Sequence, residues 1–411
     1  MFLPVDTQLE RIRENAVEIL PEEELAAKLA RSREAGRPLL VKQGFDPTRP
    51  DLHLGHAVSL RKLRTFQELG HQVVFVIGDF TARVGDPSGR DDTRPMLSEE
   101  EIERNLATYR EQVSRVLDPE RTVLRRNSEW LSRLSLEEIL RLTSHYTVAR
   151  MLERDDFAGR YEAGRPITLT EFLYPMMQGY DSIELRADVE LGGTDQKFNL
   201  LLARTLQERA GQEPQVCLVM PLLRGTDGER KMSKSYDNYV GLAMEPAETF
   251  GRTMSIPDSL LEEWIRLAST ASGEGEAERL ALAREDPLEA KRWLASDVVA
   301  QFHGPEAAER ARQEFDRVHR ERRAPRTVPE RTVAADPRTG KVWIGYALRE
   351  TGLCRSTSQA MRLLREGAVA VDDVVVEDAD LQLEPGAYLI RKGRRSYVRL
   401  RVPEPAASEG G

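Results

Sequence analysis

Cysteine is scarce: the 411 residues hold two, Cys217 and Cys354. Two thiols can build neither a disulfide framework nor a zinc knuckle, and they suit a reducing compartment, so a cytoplasmic location is expected. Of the six histidines only His53 and His56 lie close together, with no third ligand nearby, and no bound structural metal is expected. Long apolar runs are missing as well. Stretches such as Val73–Ile77 fall far short of the ~20 residues that span a bilayer, and the start MFLPVDTQLE lacks a basic region followed by an apolar one. Membrane proteins and secreted disulfide scaffolds are thereby set aside. There is no internal repeat, which excludes a solenoid.

What is present is a composition of 40% hydrophobic and 31% charged residues, ordinary for a folded soluble chain. At roughly 150 residues per domain the length implies two to four domains. Sixty Lys and Arg against 69 Asp and Glu give a net charge of −9, which argues against indiscriminate coating of nucleic acid. The charge is uneven, however. Between Lys341 and Val402 stand 11 basic and 8 acidic residues, and five of the basic ones fall within Arg391–Leu400. A local basic surface on an acidic chain fits docking of one defined RNA or DNA.

The first 36 residues read as helical, with Leu9, Ile12, Ala16 and Leu20 at helical spacing and Pro21 ending the pattern. A strand at Leu39–Lys42, a turn at Gly44-Phe45-Asp46-Pro47, a helix opening at His53 and stopping at Gly70, and a buried strand at Val73–Ile77 make one βαβ unit. A second unit follows: strand Asp188–Leu191, turn Gly192–Gln196, helix Phe198–Gln207, strand Val216–Met220. The stretch 89–187 between them reads as a charged helical insertion. From 245 to 324 the chain is helical again, 325–340 reads as a Pro-marked linker, 341–402 as a small α+β module, and 403–411 as a disordered tail. Residues 1–244 would then form an α/β nucleotide-binding domain.

His53-Leu54-Gly55-His56 sits where a strand gives way to a helix start, a position that favours anions. Two imidazoles three residues apart can both reach a phosphate, and Gly55 leaves room for a flat base. Alone the pattern also fits two ordinary histidines at a helix cap. Lys231-Met232-Ser233-Lys234-Ser235 shifts the balance, because two lysines three apart in a polar loop can clamp a polyphosphate that gains charge during reaction. Within Thr170–Ile183, Tyr174, Gln178 and Asp181 fall on one helix face beside apolar neighbours, and Pro175 is expected to kink that helix. Asp86-Pro87-Ser88-Gly89 reads as a turn after the second strand. Gly192–Gln196 is a glycine turn at the carboxyl end of a strand, where open α/β sheets bind ligands.

Together the first motif, after the first strand, and the second, after the last, resemble the paired signatures of the class I aminoacyl-tRNA synthetases, over essentially the whole chain. Within that class the chain looks like the bacterial tyrosyl-tRNA synthetases that end in an S4-type RNA-binding domain. The resemblance implies an α/β fold: a Rossmann-type parallel-sheet domain with a helical insertion, then an α-helical anticodon-binding domain and an S4-like α+β domain. It implies activation of L-tyrosine by ATP, with Mg²⁺ accompanying the nucleotide, transfer to tRNA-Tyr, and a homodimer. By the same resemblance His53, His56, Lys231, Lys234 and Ser235 are catalytic, and Gly44, Asp46, Thr48, Gly55, Gly193 and Asp195 line the ATP site. Thr81, Asp86, Tyr174, Gln178, Asp181 and Gln196 would hold tyrosine, with Asp181 accepting the phenolic hydroxyl, and Arg90 and Arg94 would reach pyrophosphate. In the C-terminal module Ser356-Thr357-Ser358 reads as a helix cap; Arg355, Arg362, Arg365, Arg391, Lys392, Arg394, Arg395, Arg399 and Arg401 would meet RNA. Two positions depart from many members: Lys42 where a hydroxyl-binding tyrosine is common, and Lys197 where some have tryptophan. The alternatives are a tryptophanyl-tRNA synthetase and a non-catalytic RNA-binding derivative of such an enzyme.

Overall fold

A computed structural model describes residues 2–88, 97–319, 328–393 and 396–404. Arg90, Arg94, Arg394 and Arg395, with most of the expected tail, lie outside the described residues. The chain divides into two compact units, Met1–Ala308 and Glu309–Gly411.

The first unit is built on a six-stranded sheet: β1 (Glu18–Leu20), β2 (Leu40–Phe45), β3 (Gln72–Ile77), β4 (Thr122–Arg126), β5 (Val189–Gly193) and β6 (Val216–Met220). Their order is β1-β6-β5-β2-β3-β4, all parallel except β1, which runs antiparallel to β6. The interior strands are nearly continuous apolar runs because both faces are covered. The chain leaves β2 toward β3 on one side and returns as β5 on the other, so the order reverses between β2 and β5. At such a switch point the connecting loops part at the carboxyl ends and leave a crevice for ligand. Three helices frame it: α1 (Leu54–Glu68), α2 (Leu169–Leu185), which runs on through Pro175, and α3 (Lys197–Arg209).

Two regions differ from the sequence expectation. The first 36 residues are not all helix; Glu18–Leu20 pairs with Cys217–Val219 between helices Val5–Arg13 and Glu22–Ala35. The stretch 89–187 is not helical throughout, since Thr122–Arg126 adds β4 to the sheet edge, in register with Val73–Ile77. Helices Pro246–Met254, Leu261–Ala268, Gly273–Glu285 and Pro287–His303 follow β6. Side chains such as Leu261, Trp264, Leu294 and Val298 belong to the same apolar core as Leu54, Leu63 and Leu218. Arg61 of α1 ties the two regions, donating to the Leu267 and Ala268 carbonyls at 2.7 and 2.8 Å, where it caps a helix C-terminus.

In the second unit helices α4 (Ile344–Glu350) and α5 (Thr357–Arg365) share a core with two small sheets. Its larger sheet joins β9 (Val369–Val371), β12 (Gly386–Lys392) and β13 (Ser396–Val402) with short strands β7 (Glu330–Thr332) and β10 (Val374–Val375). A two-stranded ladder pairs β8 (Val342–Trp343) with β11 (Gln382–Leu383). Ser356 caps α5, its hydroxyl accepting from the Gln359 N–H at 3.2 Å.

Candidate active site

The crevice opens over Gly44, which is exposed although it stands in a central strand; nothing lies within 4 Å of where its side chain would project. Just beyond, Asp46 receives the Thr81 hydroxyl at 2.7 Å and the Tyr174 hydroxyl at 2.9 Å. The approach of Asp46 and Thr81 requires a glycine at position 78, where a Cβ would stand 2.0 Å from Asp46 Oδ1. Thr48 turns the loop back through its N–H to the Asp46 carbonyl at 2.8 Å.

His53 precedes α1 in extended conformation and donates its N–H to His56 Nδ1 at 3.2 Å. The two rings lie 3.8 Å apart, and His56 meets the edge of Phe45. Residues on either side of His53 are stitched to the segment after the lysine loop: Leu54 N–H donates to the Val240 carbonyl and Leu242 N–H to that of Leu52. This pairing carries Lys231–Ser235 to the start of α1. Met232 is buried and packs over position 55; a Cβ there would stand 3.0 Å from His53 Nδ1, so glycine leaves room for the His53 ring.

Lys231 Nζ donates to Asp195 Oδ2 at 2.8 Å, and Lys234 Nζ donates to the Asp51 carbonyl. Burial, with the positive charge of Lys234 and Lys231 adding to it, holds His56 down at about 3; His53 is lowered well below the usual imidazole range by burial and then by His56 and the lysines. Both imidazoles are therefore neutral at pH 7 before substrate enters. They offer hydrogen bonds rather than charge, and the buried His53 Nδ1 has no hydrogen-bond partner among the described residues. Lys234 is lowered to about 8 by burial, opposed by Asp51 and reinforced by Arg49.

A polar pocket runs from Asp46 toward α2. Asp86 accepts from Gln196 Nε2 at 2.7 Å and from the Ser88 N–H at 2.8 Å. Gln178 Oε1 and Gln196 Oε1 both accept from Asn199 Nδ2, at 3.1 and 3.0 Å. At the far end Asp181, 3% exposed, accepts from Trp130 Nε1 at 2.8 Å and Asn127 Nδ2 at 3.4 Å. Burial raises its carboxyl to about 7; Lys42, Trp130 and Asn127 pull it down. Tyr174 is raised well above the ordinary phenol range, first by burial and then by Asp46 and Asp86, so it is a donor throughout.

Asp195, His53, His56, Lys231 and Lys234 thus gather at one mouth of the crevice, and Thr81, Asp86, Tyr174, Gln178, Asp181 and Gln196 line the pocket. Gly193, at the end of β5, lies beside Asp195, whose Oδ1 would stand 2.8 Å from a Cβ there. Ser235 is exposed at the loop's edge. Lys197 turns instead to Glu18, 2.6 Å away. Asn127, Trp130, Glu190 and Asn199 were not expected from sequence. Asn127 and Trp130 lie just after the unforeseen strand β4. Glu190 carried a signal, a carboxylate inside an apolar strand.

In the second unit Arg355, Arg362, Arg365, Arg399 and Arg401 are exposed. Lys392 donates to the Leu353 carbonyl and Arg391 to that of Gly393, at 2.6 Å for the latter.

A family profile described as tRNA synthetases class I (W and Y) matches residues 34–320. A tyrosine–tRNA ligase of Moorella thermoacetica is 50% identical over 400 residues, covering 96% of both chains. One from Carboxydothermus hydrogenoformans is 47% identical over 407 residues, covering 97% of this chain and 99% of its own. Among solved structures, a C-terminally truncated mitochondrial tyrosyl-tRNA synthetase of Aspergillus nidulans shares the fold at a TM-score of 0.62 and 21% identity, over 75% of this chain and 93% of its own. With a pocket at the sheet's switch point, two histidines and two lysines at its mouth, and matches of this extent, the chain belongs to the class I tRNA synthetases of the tryptophan and tyrosine group.

Proposed function

We propose that the chain is a tyrosine–tRNA ligase, which activates L-tyrosine with ATP and passes the tyrosyl group to the terminal adenosine of tRNA-Tyr. The observation that carries this reading is the buried Asp181, a carboxylate held by Trp130 and Asn127 beyond Gln178 on the same helix, which suits it to accept a phenolic hydroxyl. An indole N–H could also donate to Asp181; the near full-length tyrosine–tRNA ligase relatives decide for tyrosine over tryptophan. The intact histidines, lysines and Asp195 oppose a non-catalytic RNA-binding role.

In this reading Asp86, Tyr174 and Gln178 hold the ammonium group, Thr81 lies beside it, and Gln196 lies near the carboxylate. A carboxylate oxygen of tyrosine attacks the α-phosphorus of ATP, the bond to the β-phosphate breaks, and pyrophosphate leaves. A ribose hydroxyl of the tRNA then attacks the acyl carbon and AMP departs. Asp195 takes the ATP ribose, which frees Lys231 to join Lys234 at the phosphates, and His53 and His56 donate hydrogen bonds there. Such groups act by binding the charge-bearing transition state more tightly than ground-state ATP. Mg²⁺ enters with the nucleotide; among the described residues no cluster of His, Cys, Asp and Glu could hold a metal. The exposed apolar side chains Leu136, Leu140, Val148, Tyr161 and Leu169 all lie in the stretch 89–187, the part of the chain that would contribute to a homodimer interface. The S4-like second unit, through Arg355, Arg362 and Arg365, would meet tRNA in the cytoplasm.

Aminoacylation tests the reading. The expected result is charging of a tRNA-Tyr transcript with tyrosine and no charging of a tRNA-Trp transcript with tryptophan. The reverse pattern, or no charging of either, overturns it.

A further inference from the structure

Below the pocket lies an ion pair that the proposed reaction does not use. Lys42 of β2 and Glu190 of β5 are register partners at the switch point, each side chain 1% exposed, with Nζ 2.9 Å from Oε1. Neutral donors already surround Glu190: Gln178 Nε2 at 3.2 Å, Ser182 Oγ at 3.1 Å and Gln215 Nε2. A buried ion pair of this kind adds little stability over a neutral pair of similar size. Its charge therefore calls for another use, and the surroundings point to one. Lys42 Nζ also donates to the Gln178 carbonyl at 3.3 Å, on the turn of α2 that carries Asp181. Asp181 itself is held by two neutral donors, Trp130 and Asn127. The charged groups acting on it are Lys42 from β2, which favours the carboxylate, and Glu190 from β5, which opposes it; Tyr174 faces it from its own helix.

We propose that Lys42 is a specificity-determining residue: its buried charge, fixed under α2 by Glu190, keeps Asp181 the carboxylate acceptor that receives the substrate's phenolic hydroxyl. Lys42 touches no substrate and acts through Asp181. The inference rests on the tyrosine reading above. It explains how a pocket with lysine at this position can still prefer tyrosine to phenylalanine, because an ionised buried acceptor left without a hydroxyl is costly.

The test is the ratio of kcat/KM for tyrosine and phenylalanine in ATP–pyrophosphate exchange, measured across pH. In Lys42→Met the ratio at pH 7.5 is expected to fall about tenfold or more, as loss of a nearby opposite charge disfavours the carboxylate. Raising the pH should restore part of it, which a packing defect would not do. Glu190→Gln, which keeps the lysine, should slow both substrates alike and leave the ratio within about threefold of wild type. The double variant K42M/E190Q leaves neither charge unpaired, so it should fold, and its ratio should lie between those of Lys42→Met and wild type, because the favouring charge and the weaker opposing one are both gone. A wild-type ratio in either variant lacking Lys42, or equal losses of ratio in Lys42→Met and Glu190→Gln, overturns the proposal. Wild-type enzyme with no tyrosine-dependent exchange would instead remove the reading beneath it.

Discussion

Replacing Lys234 by alanine tests the part of the site proposed to handle phosphate. Its ammonium reaches across the mouth of the crevice to the Asp51 carbonyl, beside the His53 and His56 rings on which its charge acts. A preorganised donor at a point of developing charge is worth roughly 10²–10³ in rate, about 2.7–4 kcal/mol. That loss is expected in kcat/KM for ATP in pyrophosphate exchange, while KM for tyrosine stays near wild type, since the hydrogen bonds of Tyr174, Gln178 and Asp181 do not involve Lys234. The pH profile adds a second readout. Lys234 must be protonated to act, and burial has brought it to about 8. The profile of kcat/KM reports groups of the free enzyme, so the wild-type value should decline as pH rises through about 8. Lys234→Ala should lack that alkaline limb, and Lys234→Arg should shift it upward. Exchange at the normal rate in Lys234→Ala, or an unchanged limb, refutes the assignment.

Gly78→Ala would drive a methyl group into Asp46 and Thr81, 2.0 and 2.4 Å from the new carbon; it should raise KM for tyrosine about tenfold and cost about 1–3 kcal/mol in urea unfolding. Arg160, 1% exposed, forms two bonds with Glu171 at 2.6 and 3.1 Å. Arg160→Met leaves the Glu171 carboxylate with only the Thr168 N–H and hydroxyl at the start of α2 and should cost about 1–3 kcal/mol by the same measurement. His71 is buried between Gln8 and the Leu39 N–H and lowered to about 4 by burial. A histidine depressed on folding gives stability that is intact above the unfolded value near 6.5 and is lost as pH falls toward about 4. Between pH 7 and 4 the stability of wild type should fall about 3 kcal/mol more than that of His71→Gln, the two proteins sharing the contributions of His53, His56 and Asp181.

Much of this site could be read before the fold was known, for a physical reason. The strands β2, β3, β5 and β6 are buried on both faces and announce themselves as apolar runs, and in a parallel sheet the ligands gather at their carboxyl ends. Residues in the segments that follow those strands, Asp46, His53, Asp86 and Asp195, were accessible to that logic. Strand β4 was not, because an edge strand such as Thr122–Arg126 is only partly covered and carries two arginines. Asn127 and Trp130 were hidden with it, and their contact with Asp181 joins positions more than fifty residues apart. The neutral state of His53 and His56 was also out of reach, since burial is a property of the assembled crevice. Lys42 and Glu190 stand between these cases. Opposite charges in two apolar strands suggest a pair, but only the register sets them side by side.

The most direct measurement is ATP–pyrophosphate exchange by the full chain with tyrosine, phenylalanine and tryptophan supplied one at a time. Triphosphate chemistry coupled to a phenol-accepting pocket predicts rapid exchange with tyrosine and at most trace exchange with the other two. Equal exchange with phenylalanine, or exchange driven by tryptophan alone, would contradict it.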